Sequence, residues 1–375
     1  MITLQRGVSS RRAILIPTIT IIALVALKSL ATPMYTMALG RFPAMMIDVM
    51  SSRPPLFGWT PDGYFDQLFW PDPDNWREHW SATFAPDAFR VLRMRPNLAS
   101  VTTRPATNSP TNRFGYEGPE WTLIKPPDTR RVAVLGDSIT LGLGVDSDQN
   151  FVSLLADRLN TDHSPHRQQF EFLNFAVPGY ELTQTMDVAL HDVPQFQPDV
   201  YVLMLTELSV YRPWDTHLIY LVQSGADVKY DFLRETASEA NAKQSDDNSK
   251  LSAKFAPYRM SIIRQTILKI KANAEQHHTQ FLVVLVPAVE DADLSRRRFA
   301  GIPELLSTMN ITFVDLSDTF TGMLDRKSIR LNGVDVHPSA KGDEMIYKSL
   351  YEKLRANPEA WSKLVGPALG INQHP

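Results

Sequence analysis

From Arg131 onward the chain alternates short, almost continuously apolar runs with amphipathic segments, and no other feature narrows its fold as much. The runs cover residues 132–135, 170–175, 200–205, 281–286 and 311–316. A strand with one wet face alternates apolar and polar residues, whereas a strand covered on both faces has no polar side to show. Between the runs, apolar residues recur at helical spacing, as at Phe151, Leu154, Leu155 and Leu159, and again at Ile346, Leu350 and Leu354. Buried strands alternating with such helices predict an α/β fold, a parallel sheet covered by helices on both faces. In sheets of this kind ligands sit beyond the carboxyl ends of the strands. The segments that follow the strands are therefore where chemistry is expected.

Three of those segments carry suitable residues. The first is Val132-Ala-Val-Leu-Gly-Asp-Ser-Ile-Thr140, in which a strand ends at Leu135 and Gly136 permits a tight turn. Ser138 is thereby presented at the sheet edge, where a nucleophile should stand. A phosphate-binding loop is the competing reading. It fails because Gly136, Gly142 and Gly144 form neither Gly-x-Gly-x-x-Gly nor a Gly-x-x-x-x-Gly-Lys-Ser/Thr pattern. The second segment is Asn174-Phe-Ala-Val-Pro-Gly179-Tyr, where Pro178-Gly179 forces a turn whose backbone N–H can face the first strand's edge. The third is Asp335-Val-His337-Pro338, just before the last helix. There Asp335 can orient the imidazole of His337 and stabilise its protonated form. His337 can then act as general base towards Ser138 and as general acid towards the leaving group.

The chain has no cysteine, which excludes a thiolate zinc site, an iron–sulfur cluster and a cysteine nucleophile. Covalent catalysis would have to come from Ser, Thr, Lys or a carboxylate. A net charge of −3 gives no basic field for nucleic acid. His277-His278 reads as a solvated turn rather than a metal site, and no metal or organic cofactor is implied. Asp315 is a weaker rival to Asp335 as the acid, and Asp146 and Asp148 read as caps for the helix at Phe151.

Taken together, the three segments resemble the SGNH subgroup of the GDSL hydrolases. The resemblance runs from Asn112 to Leu354 and includes the approach Asn112-Arg-Phe-Gly-Tyr-Glu-Gly-Pro-Glu120. It implies a three-layer α/β/α flavodoxin-like sheet and a serine hydrolase acting on esters. Ser138 matches the nucleophile, Gly179 the oxyanion-hole glycine of the second block, and His337 the base of the last block, with Asp335 as its acid. The Ser138 amide would be a second oxyanion donor. Val334 stands where the usual last block has its acid, and Asp335-Val-His337 fits the shorter spacing of some members. In the third block, Thr206-Glu-Leu-Ser209 replaces Gly-x-Asn-Asp, so that Leu208 stands at the position of the donor asparagine. Asp137, Thr206 and Ser209 are candidates for substrate contact. The implied substrate is an acyl or acetyl ester on a carbohydrate or cell-envelope polymer. An acyltransferase using the same triad, and a non-catalytic envelope protein of the same fold, are the alternatives.

Ahead of this domain, Arg6, Arg11 and Arg12 precede an apolar run over residues 13–31, and the first acidic residue is Asp48. A positive flank followed by an apolar core is the pattern of an export signal. Nineteen residues are about enough to span a bilayer. The readings are a retained signal-anchor, with the membrane as a partner, a cleaved signal peptide, or a buried core helix. The first two place residues 40–375 outside the cytoplasm, and the Arg pair also resembles a twin-arginine signal. Residues 51–125 hold five of the seven tryptophans and ten of the 27 prolines, and read as an irregular β-containing module. Residues 235–254 are polar and read as a mobile excursion. The expected division is 1–39 for the signal, 40–128 for the irregular module, 129–356 for the hydrolase domain and 357–375 for a tail.

Overall fold

The computed structural model describes residues 82–101, 107–163, 168–211, 216–289, 292–331 and 337–366. Five parallel strands form the main sheet: β3 (Thr129–Leu135), β4 (Gln169–Asn174), β5 (Val200–Thr206), β6 (Gln280–Val286) and β7 (Phe313–Asp315). They lie in the order β4-β3-β5-β6-β7. Counted from the first strand of this sheet the order is 2-1-3-4-5, which is the flavodoxin-like winding. Each apolar run predicted from the sequence falls on one of these strands.

Alternate residues of each strand serve opposite faces. Val132, Val134, Val202, Met204 and Val284 join one apolar cluster, while Ala133, Leu135, Leu203, Leu205 and Val283 join the other. The first cluster is closed by α2 (Phe151–His163), α11 (Ala340–Ala356) and α12 (Pro358–Val365). The second is closed mainly by α3 (Leu182–His191) and α8 (Arg259–Gln276). That gives three layers. A small antiparallel hairpin, β1 (Phe84–Asp87) and β2 (Val91–Met94), also packs on the second face through Phe84, Val91, Leu92 and Met94. Trp121 is buried there too, among Tyr116, Phe175 and Phe196. The described part of the irregular module thus shares a core with the sheet. Its other tryptophans lie outside the described residues.

Two segments differ from expectation. The polar stretch at 235–254 is not an unstructured excursion, because it holds the end of α6 (Asp231–Glu239) and most of α7 (Asn248–Phe255). Asp247 caps α7 by accepting from Lys250 N at 2.8 Å, and Leu251 and Phe255 are fully buried. Asp246 is gripped by Lys250 and Lys254, each at 2.5 Å. The expected tail begins with α12, whose Ala360 and Leu364 enter the core. Among the described residues no helix is long and apolar enough to cross a membrane, and residues 13–31 lie outside them.

Candidate active site

Strand β3 ends at Leu135, and the chain turns through Gly136 and Asp137 into a one-turn helix, α1 (Ser138–Leu141). The turn needs glycine at 136, since a Cβ there would lie 2.1 Å from Thr140 Oγ1. Asp137 caps α1, its carboxylate accepting from Ile139 N at 3.0 Å. The other carboxylate oxygen accepts from Thr206 Oγ1 at 2.5 Å and Ser209 Oγ at 3.3 Å. Thr206 closes β5 and Ser209 lies in α4 (Glu207–Tyr211). These two hydroxyls and Asp137 are buried, with Thr206 wholly inaccessible. Together they tie the nucleophile turn to the end of the neighbouring strand. Burial pushes the Asp137 carboxyl above its ordinary value, and the hydrogen bonds from Thr206, Ile139 and Thr140, with the nearby His337, pull it back.

His337 comes from the far end of the chain, 199 positions away, and its Nε2 lies 2.8 Å from Ser138 Oγ. Its loop is held on both sides. Leu331 N donates to His337 O at 3.0 Å, Arg330 and Pro338 form an antiparallel bridge, and Ser339 caps α11. For the Ser138 hydroxyl to donate to Nε2, the ring proton must sit on Nδ1, the tautomer a carboxylate on that side would favour. Asp335 lies outside the described residues. Asp315 accepts from Ser317 N at 2.8 Å, capping the turn after β7.

The second-block turn lies at the end of the adjacent strand. Tyr180 N donates to Val177 O at 3.2 Å and Gly179 has φ +80°, which is the geometry of a type II turn with proline second and glycine third. Val177 N reaches Gly136 O at 3.4 Å, and Asn174 Nδ2 donates to Thr140 O at 3.2 Å. Asn174 was quoted in the motif with no role of its own. Here it links the two turns. Leu208 packs against the apolar cluster of α2 and α11, so the third block presents no side-chain donor at that position.

Two buried acids, Glu117 and Asp343, have no role in the motifs quoted above. Glu117 is 4% and Asp343 1% exposed. Glu117 accepts from Ser147 Oγ at 2.7 Å and Asp343 from Phe151 N, at the start of α2, at 3.3 Å. Glu117 Oε2 and Asp343 Oδ2 have no hydrogen-bond partner. Burial pushes the Glu117 carboxyl up to about 8. Burial, aided by the charge of Glu117, pushes Asp343 well above its ordinary value. Asn150, not Asp146 or Asp148, caps α2, accepting from Ser153 N at 2.9 Å, while Asp146 takes Asn108 N at 2.7 Å. His277 and His278 form the exposed turn between α8 and β6, as expected. Among the described residues no group of three or more His, Cys, Asp or Glu side chains is placed to hold a metal ion.

A serine hydroxyl on an imidazole, at the carboxyl edge of a parallel sheet, is an arrangement that can pair a nucleophile with its base. The family model of the GDSL-like lipase/acylhydrolases matches residues 134–345, and the chain belongs to that family of ester hydrolases. No curated protein matches it. Among solved structures it is similar to a lipase from a goat rumen metagenome, at 16% identity over 60% of this chain and 97% of that one, TM-score 0.39. It is similar also to an acetyl xylan esterase, at 16% identity over 59% and 98%, TM-score 0.37. A third is the lipase/acylhydrolase from Enterococcus faecalis, at 13% identity over 60% and 96%, TM-score 0.37.

Proposed function

We propose that the chain is an exported serine esterase that removes acyl or acetyl groups from a carbohydrate or cell-envelope polymer. Ser138 Oγ attacks the ester carbonyl carbon while its proton passes to His337 Nε2. The tetrahedral oxyanion is met by the amides of Ser138 and Gly179. Collapse breaks the bond to the alcohol, which leaves with the proton from His337, and an acyl group stays on Ser138. Water then attacks with His337 again as base, releasing the acid and restoring the serine. Asp335 is the partner of the other imidazole nitrogen. The observation that carries this reading is the 2.8 Å approach of His337 Nε2 to Ser138 Oγ. Export, with or without a retained membrane anchor, rests on the arginine flank and apolar run of residues 6–31. The polymer substrate rests on the family resemblance and that location.

The test is labelling with a fluorophosphonate, followed by acetate release from an acetylated oligosaccharide. The parent should be labelled at Ser138, and Ser138→Ala should abolish labelling and lower turnover by at least about 10³. Leu208 favours one other reading, a non-catalytic protein that keeps the fold. A folded parent that neither labels nor releases acetate would establish that reading instead.

A further inference from the structure

We infer that the β1–β2 hairpin, which lies outside the stretch matched by the family, is a built part of the active site: it fixes the second-block turn against the nucleophile turn, with Tyr180 as the positioning residue. The inference rests on the reading of Ser138 and Gly179 given above. Three carbonyls of the hairpin are captured by side chains from the turn and the helices around it. Tyr180 Oη, one residue after Gly179, donates to Leu92 O at 2.7 Å. Gln184 Nε2, in the first turn of α3, donates to Arg90 O at 2.6 Å. His217 Nε2, in α5 (Thr216–Ser224), lies 2.6 Å from Phe89 O while its Nδ1 lies 2.8 Å from Thr183 Oγ1. All four of these side chains are buried. Arg90 returns the grip, with its Nε on Asp187 at 2.6 Å and its Nη atoms on Asp192 at 2.6 and 2.8 Å.

Tyr180 and Gln184 fasten the hairpin directly to the turn at Gly179 and to the helix that follows it, and His217 bridges the hairpin to Thr183 of that helix. The turn itself meets the nucleophile turn through a long bond, Val177 N to Gly136 O at 3.4 Å. The Asn174 link adds a second bond at 3.2 Å. The Tyr180 phenol, at 2.7 Å from Leu92 O, ties the last residue of the turn to β2. Catalysis by an oxyanion hole requires donors held where the charge develops, and small misplacements are costly in rate but not in ground-state binding.

Tyr180→Phe removes the hydroxyl and leaves the ring. On a small aryl ester it should lower kcat about tenfold with KM unchanged, and slow fluorophosphonate labelling in step, since both reactions pass through the oxyanion hole. Circular dichroism should match the parent. Gln184→Met, which loses the bond to Arg90 O, is the second probe and should act in the same sense. A folded Tyr180→Phe protein with parental kcat overturns the inference, as does a change confined to KM. If both variants fail to fold, the contacts serve folding alone and the inference is equally overturned. Ser138→Ala run alongside separates the two claims, because parental turnover in that variant refutes the serine reading itself.

Discussion

Glu117→Gln should raise the stability of this protein above neutral pH and leave it unchanged in acid. Glu117 is 4% exposed and shares its surroundings with Asp343, 1% exposed, with no cation in the causes that set either group. Burial raises the folded-state value from 4.5 to about 8. A carboxyl whose folded value is raised contributes its full stability below the unfolded value and loses it as pH climbs to the folded value. The window is therefore pH 4.5 to about 8. A rise of 3.5 units, at about 1.4 kcal/mol per unit, sets a ceiling of about 5 kcal/mol. That is a large share of the 5–15 kcal/mol or so by which a typical domain is stable. The amide is neutral at all pH, can still accept from Ser147, and can donate to Asp343 Oδ2. Urea unfolding of parent and variant at about pH 5 and about pH 8.5 measures the difference. The two should coincide at the lower pH, and the variant should be the more stable by up to the ceiling at the higher. Parallel stability curves across that range would refute the reasoning, since they would mean that Glu117 ionises in the folded protein as freely as in the unfolded chain.

Asp137→Asn should cost about 1–3 kcal/mol and lower kcat, because an amide offers one acceptor where the carboxylate serves Ile139 N, Thr206 Oγ1 and Ser209 Oγ with two. Thermal unfolding and esterase rate together check it, and a variant matching the parent in both would remove Asp137 from the site. Leu208→Asn should lose stability by a similar amount, about 1–3 kcal/mol, without gain in rate, because the side chain packs into the cluster of α2 and α11. A gain approaching about 10²–10³ in kcat, the worth of one oxyanion donor, would show that the amide reaches the oxyanion after all.

The sheet was legible because a strand buried on both faces must spell itself in apolar residues, and β5 from Val200 to Thr206 is buried at every position. Ser138 and His337 were legible because turn residues and motif spacing flag the ends of such strands. The roles of Thr206 and Ser209 were not. A hydroxyl beside a catalytic serine reads as a substrate contact until a carboxylate is seen to take it, and Asp137 lies 69 positions from Thr206. The helices at 231–239 and 248–255 were missed for a related reason. Their polar composition carries little core: the first is anchored by buried Leu233, and the second by Leu251, Phe255 and the ion pairs on Asp246.

Glu117 and Asp343 show where local reading ends. Charged residues in a sequence are assigned to water, and only the fold reveals that these two are buried close enough for the charge of one to act on the other. Their location matters for the site. Asp343 sits in the first turn of α11, six residues after His337, and accepts from the first amide of α2, the helix that follows the nucleophile turn. Helices α2 and α11 pack together on one face of the sheet. The helix that follows the nucleophile turn and the helix that follows His337 are thus joined by this bond.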